Sequence, residues 1–209
     1  MSAVTLLALA AAFDPMNPAQ ADELPSDELK KVATQQRGIH TMLVTLAQDG
    51  DHQFPNEPGT ANPNFRMLFK KRLVDMESLF AIPGDELLQK GKPDGDIGDK
   101  PSFSKALEPG ECSFGYVAGL DISSAEDLPL LIGGAGFATG WITGVDKTPP
   151  AVPFKGSVVV TNVGGNTYSI KPGPDGKIMR MKHGKLMDIF SAEYGTNPEN
   201  IRLPAPAKK

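Results

Sequence analysis

Three aspartates, Asp94, Asp96 and Asp99, stand two and three residues apart in the stretch PDGDIGD. Carboxylates at that spacing, on a loop bent by glycines, can turn several oxygens towards one hard cation such as Ca2+. The stretch is not an EF-hand, because the closing glutamate is absent and the glycine is out of place. Asp94, Asp96 and Asp99 are therefore the candidate metal ligands, with calcium as the candidate cofactor. The plainer reading is an acidic glycine turn facing water, and both stay open at this point.

Other reactive side chains are sparse. One cysteine, Cys112, excludes an internal disulfide, and neither His40, His52 nor His183 is close to it in sequence. A free cysteine without a neighbouring base is usually a buried, apolar-like residue, and here a strand position is expected. There is no Gly-x-Ser-x-Gly elbow and no Cys-x-x-Cys or His-x-x-x-His pair. The glycine run Gly133 to Gly140 lacks the Lys-Ser/Thr of a phosphate loop and has no clear helix after it. These absences predict a protein that is not an enzyme. Trp141, the single tryptophan, sits beside that run. It is read as a hydrophobic plug at the sheet edge, or else as a stacking platform for a small ligand or glycan.

The chain of 209 residues carries a net charge of −4, so no basic field exists to hold nucleic acid. Its length and composition suit one domain with appendages. Ala3 to Phe13 is an uninterrupted apolar run too short to span a bilayer as a helix. Its length fits the apolar part of a signal peptide, and Ala19-Gln20-Ala21 fits a cleavage site. Residues 1–23 are thus expected to be an export or anchor-like segment with a linker. That places the protein outside the cytoplasm, in the envelope, with membrane association through this segment.

The elements that must position these residues follow in order. From Ser26 to Gln48, Leu29, Val32, Ala33, Gln36, Ile39, Leu43, Leu46 and Ala47 recur at spacings of three and four, which predicts a long amphipathic helix. Ser26 is placed to cap it, and Asp27 and Glu28 suit the positive end of its dipole. A short helix is expected after Asn62-Pro63, a strand over Ser78–Ile82 and a short helix over Ser102–Leu107. Strands are expected over Cys112–Leu120, Leu128–Ile132, Ser157–Val163 and Thr167–Ile170, the last two joined by Gly164-Gly165-Asn166. Leu186, Met187, Phe190 and Tyr194 suggest a final helix, and residues 204–209 a disordered tail. Helix first, then hairpin-linked strands, predicts an α+β fold: the long N-terminal amphipathic helix packed on an antiparallel β-sheet.

Several stretches in this order resemble one family. TQQRGIHTMLVTLAQDGDHQFP is similar to the amphipathic helix and aspartate-rich turn ending in Phe-Pro of prepilin-like proteins. ANPNFRMLFKKRLVDMESLFAIPG resembles the short helix that comes next and the strand after it, and DGDIGDKPSFSKALEPGECSFGYVAGL the central acidic loop and strand. DLPLLIGG and KGSVVVTNV follow in the same order. The chain thus resembles the type II secretion pseudopilin-like proteins of Verrucomicrobia and related bacteria over roughly Leu29 to Val163. The resemblance implies a pilin-like globular domain at 24–203 that acts by assembly with other pilin-like subunits or secretion machinery. It also implies Ca2+ in a loop of the sheet region, in keeping with the aspartates above.

Overall fold

The computed structural model describes residues 26–85, 87–134, 157–173 and 177–207. Helix α1 runs over Asp27–Gln48, 22 residues, and α2 over Ala61–Lys70. Ser26 caps α1 by accepting a hydrogen bond from the amide of Leu29, and Asp27 and Glu28 occupy its first turn, as the sequence implies. A 3-10 turn, Glu77–Phe80, precedes the strands β1 (Phe114–Val117), β2 (Pro129–Gly133), β3 (Val158–Asn162) and β4 (Thr167–Ile170). Next come β5 (Met179–Lys182), β6 (Lys185–Asp188) and the short β7 (Ile201–Arg202).

Five strands form one antiparallel sheet in the order β4-β3-β2-β1-β7, and β5 pairs with β6 in a separate hairpin. The fold is mixed helix and sheet, as expected. Leu29, Val32, Ala33, Ile39, Leu43 and Ala47 of α1 are all buried in one core with Phe114, Tyr116, Leu131 and Val158 to Val160. The β2 and β3 strands are buried along their whole length, which is why the β2 stretch reads as an unbroken apolar run.

One polar residue in the helix stripe is also fully buried. Gln36 donates from Nε2 to the carbonyl of Val159 at 3.1 Å and accepts from the hydroxyl of Thr161 at 2.9 Å. Both bonds go to β3, so the amide fastens α1 to the middle of the sheet without an unpaired group. Gly133 makes this approach possible: a Cβ there would lie 2.8 Å from Gln36 Nε2 and 2.8 Å from the ring of Phe114. The first glycine of the run that faintly resembled a phosphate loop is therefore the last residue of a strand, kept small for packing.

Four local expectations are corrected. Ser78–Ile82 is not a strand: Phe80 turns inward in the 3-10 turn to stack on Phe65 and Phe69, with centroids 5.3 and 5.7 Å away. A run of four apolar residues is too short for its period to discriminate. Ser102–Leu107 is a series of turns, because Phe103 and Leu107 take φ of 45° and 52°, which no α-helix accommodates. The final helix is replaced by the β5–β6 hairpin and the turns after it. There the helical spacing of Leu186, Phe190 and Tyr194 is coincidental, and His183-Gly184, both at positive φ, make the two-residue turn. The segment after Leu203 is docked, not disordered, as far as Ala207. Ala61 donates to the Leu203 carbonyl, Ala205 donates to Asn62, and Gly110 donates to the Ala205 carbonyl.

Burial of the helix stripe gives a direct test. Leu43 is fully enclosed, so Leu43→Asp would strand a carboxylate in the core at a cost above about 4 kcal/mol. Circular dichroism should show loss of the cooperative thermal transition, while Leu43→Met stays within about 1.5 kcal/mol of the native chain. Full stability of the aspartate variant would contradict the packing.

A candidate acidic centre around Lys92

The loop from Gln89 to Glu111 folds back on the 3-10 turn and on α2. Asn62 of α2, itself buried, donates to the carbonyls of Leu107 and Glu108, and Arg66 donates to that of Ala106 at 2.7 Å. These bonds satisfy carbonyls that the irregular backbone cannot pair for itself. They also fix the loop against α2, and that brings three carboxylates together.

Glu77, Asp94 and Glu111 each place a carboxylate oxygen within 4.8 Å of the other two. Glu77 and Glu111 are buried, and Asp94 lies at the rim. Glu77 accepts from the amide of Leu107 at 2.7 Å and from that of Gly95 at 3.0 Å. Glu111 accepts from the amide of Glu108 through Oε2. The ammonium of Lys92 closes the group: it bonds Asp94 Oδ2, lies 3.0 Å from Glu111 Oε1 and 3.5 Å from Glu108 Oε2. Glu111 Oε1 makes no hydrogen bond of good geometry with any described group, so this ion pair is its compensation.

Three carboxylates against one close ammonium leave an excess of negative charge in a partly dry site. The consequence appears at Glu77, whose acidity is weakened first by burial and then by Glu111 and Asp94, although its two amide donors oppose the shift. Asp94 moves the other way, held below the usual range by its hydrogen bond to Lys92, and Lys92 is raised by the carboxylates around it.

Of the three aspartates read from the sequence, Asp94 joins this group. Asp96 pairs instead with Lys105 at 2.6 Å and accepts from the Gly98 amide, and both the carboxylate and the ammonium are largely exposed. The backbone carbonyl of Asp99 accepts from Phe103 and Ser102, and it lines a shallow polar hollow with Asp96 and Lys105. Glu77 and Glu111 were not singled out by sequence reasoning. The available signal was an acid set directly beside buried residues, in ESLF and in ECSF, where a charge needs a partner. The residues able to hold a divalent cation are thus Glu77, Asp94 and Glu111, with the Lys92 ammonium now against two of them.

Cys112 is fully buried beside this centre, and burial pushes its thiol up to about 12, so it is chemically quiet. Its position just before β1, with Sγ near the Phe114 carbonyl, agrees with the expected apolar role. Among the histidines, His40 is bonded to the Val163 carbonyl at 2.8 Å, next to the β3–β4 turn. Trp141 and the run from Ala135 to Gly140 lie outside the described residues, as does the segment 1–23. Among the described residues, no helix is long and apolar enough to cross a membrane. In comparisons with family models, curated proteins and solved structures, nothing matches this chain.

Two outcomes follow from the centre. Glu77 holds its proton more tightly folded than unfolded, so between pH 4.5 and its raised value its contribution to stability falls as pH rises. Asp94 and Asp96 are lowered, so their contribution is complete above 3.8 and is lost as pH falls below it. Urea midpoints should therefore peak in mild acid and decline towards neutrality, and Glu77→Gln should remove that decline. An unchanged pH profile in the variant would rule out Glu77 as its source. Secondly, Lys92→Ala leaves the carboxylates without their cation and should lower the melting temperature. Added Ca2+ should restore part of the loss, with a larger shift than in the native chain. No calcium response in the variant would rule out a metal-ready geometry.

Proposed function

We propose that this chain is a non-enzymatic structural protein of the cell envelope, akin to the globular part of a type II secretion pseudopilin. In this reading it works extracytoplasmically, by assembly with other pilin-like subunits or secretion machinery. The observation that carries it is α1: one face lies across an antiparallel sheet, and the other stays open and charged. Lys30, Lys31, Thr34, Arg37 and Thr41 are exposed along that face, and Asp49 and Asp51 are exposed just past its end. Lys31 and Arg37 on this face and the acids Asp49 and Asp51 past its end suit a head-to-tail stagger between copies. Asp27 and Glu28 offset part of the basic charge in the first turn, and Asp27 already pairs with Lys30. Opposite charge at such a rim sets register and association rate more than affinity. The resemblance over Leu29 to Val163 supports the same reading, and the acidic centre then serves to brace the irregular loop beside the sheet.

A second reading, an extracytoplasmic module that captures a small molecule or glycan, draws on a groove of about 590 Å3 at the end of α1. Leu46, Asp49, Phe54, Met67, Lys71 and Leu73 line it. That volume lies within the range of small-ligand sites. Thermal-shift screening with sugars and small amines addresses it separately.

The assembly reading is tested with a cysteine at Thr41 and another at Asp51, in a chain whose own Cys112 is inaccessible. Thr41→Cys/Asp51→Cys should give a ladder of disulfide-linked oligomers in the envelope of the native host, weakened when Lys30, Lys31 and Arg37 are changed to Glu. Monomers alone, in the envelope and at high concentration in solution, would defeat it.

A further inference from the structure

Helices α1 and α2 both end at the groove of about 590 Å3 described above. Leu46, Met67 and Leu73 in its lining are half-buried and Phe54 is buried, so part of the wall is apolar. The pieces of chain that form it are fixed to the body. The His52 amide donates to the Ala47 carbonyl, and the Leu73 amide donates to that of Leu68. Between them, the buried side chain of Asn64 holds Glu57 from both sides. It accepts from the Glu57 amide at 2.8 Å and donates to the Glu57 carbonyl at 3.1 Å. A cleft preformed in this way leaves a ligand little ordering cost to offset.

Two separate features make this groove favour a cation. Asp49, Asp51 and Glu57 line it and are exposed, against Lys71 as the only base of the lining among the described residues. None of these side chains forms an ion pair with a described group, so the carboxylates are free to meet a ligand. The second feature is the end of α1. A helix C-terminus carries partial negative charge, which a base in the last turn commonly offsets. Helix α1 has no base there, so its dipole adds to the charge of Asp49 and Asp51. Helix α2 differs, since Lys70 stands in its last turn. The attraction for positive charge is therefore strongest on the α1 side, next to the apolar Leu46. An anion would meet the acids, and a sugar would leave the apolar wall without a partner.

We propose that the groove binds a small organic cation, an ammonium group joined to an apolar body. The ammonium sits at Asp49 and Asp51, and the body lies on Leu46, Met67 and Leu73. This names the ligand class of the small-molecule reading above and rests on that reading, not on assembly. Because the carboxylates are exposed, the ionic part of the contact is modest and screened by salt.

The test is titration of the full, isotope-labelled chain with tryptamine, followed by amide shifts in nuclear magnetic resonance. Tryptophol serves as the neutral analogue of the same shape, and glucose as the sugar. Tryptamine should shift amides between Asp49 and Glu57 and between Met67 and Leu73. It should bind roughly tenfold more tightly than tryptophol, a gap that narrows at high salt. Asp49→Asn/Asp51→Asn keeps the shape of both side chains and an oxygen to accept from the Gln53 amide. That variant should lose about tenfold in tryptamine affinity, with tryptophol affinity and melting temperature unchanged. Equal affinity for tryptamine and tryptophol, shifts confined to other parts of the chain, or an unaffected double variant would each overturn the proposal. Glucose shifting these amides where tryptamine does not would overturn it and retain the small-molecule reading. Silence towards all three compounds would overturn both. The same shifts on raising the protein concentration alone would give the groove to a second copy and overturn the proposal.

Discussion

Where α1 crosses the sheet, a buried amide must find two partners on β3, and Gly133 must leave it room. Gln36 meets both conditions with the Val159 carbonyl and the Thr161 hydroxyl. Apolar contacts alone would allow the helix to slide or rotate by a residue at modest cost. A buried amide does not, because a shift would leave the donor and acceptor unpaired. The strand order then determines what lies along the helix: the β3–β4 turn beside His40 past its middle, and the Phe54 segment beyond Ala47. The buried ring of Tyr116, whose hydroxyl donates to the Pro55 carbonyl, ties that last segment to β1.

The acidic centre depends on this frame at one remove. Ser113 receives the amide of Ile82 on its hydroxyl and donates its own amide to the Phe80 carbonyl, so the entry to β1 is laced to the end of the 3-10 turn. This lacing sets Glu77 and Glu111 on adjoining pieces of backbone, and the loop between them carries Lys92 and Asp94 into the gap. Burying charges in such a group is costly, and a buried ion pair is weak evidence for stability in its own right. Its role is better described as orientation: the amides of Leu107, Gly95 and Glu108 have few other acceptors in a loop without regular structure.

The longer regular elements were legible from the chain, whereas the β5–β6 hairpin, expected as a helix, and the irregular segments were not. The stripe of α1 repeats over six turns, and its cap and acidic first turn agree with it, so period and termini point to one answer. The β3–β4 hairpin shows a valine run and a short alternating stretch around a glycine turn. By contrast, Glu77–Phe80 offers too few residues for any period, and Phe103 and Leu107 adopt left-handed backbone that side-chain type does not announce. The site was half legible for the same reason. Asp94 sits in a conspicuous acidic run, but its partners come from positions 77 and 111, which are joined by tertiary contacts alone. Asp96, two residues away, faces Lys105 instead, since neighbours on a bent loop need not point the same way. The segment after Leu203 looked featureless because its order is supplied by Asn62 and Gly110, far from it in sequence.

The bond between Gln36 and Val159 spans 123 residues of chain. Closing a loop of that length costs entropy before any contact repays it, and topologies dominated by distant pairs fold slowly. Helix α1 can form early from its own short-range preferences, yet its apolar stripe has no cover until β2 and β3 arrive. During that interval the chain presents a hydrophobic ridge to whatever is near. Its passage to the native state is therefore the stage most exposed to aggregation, and the one at which a chaperone would have most to hold.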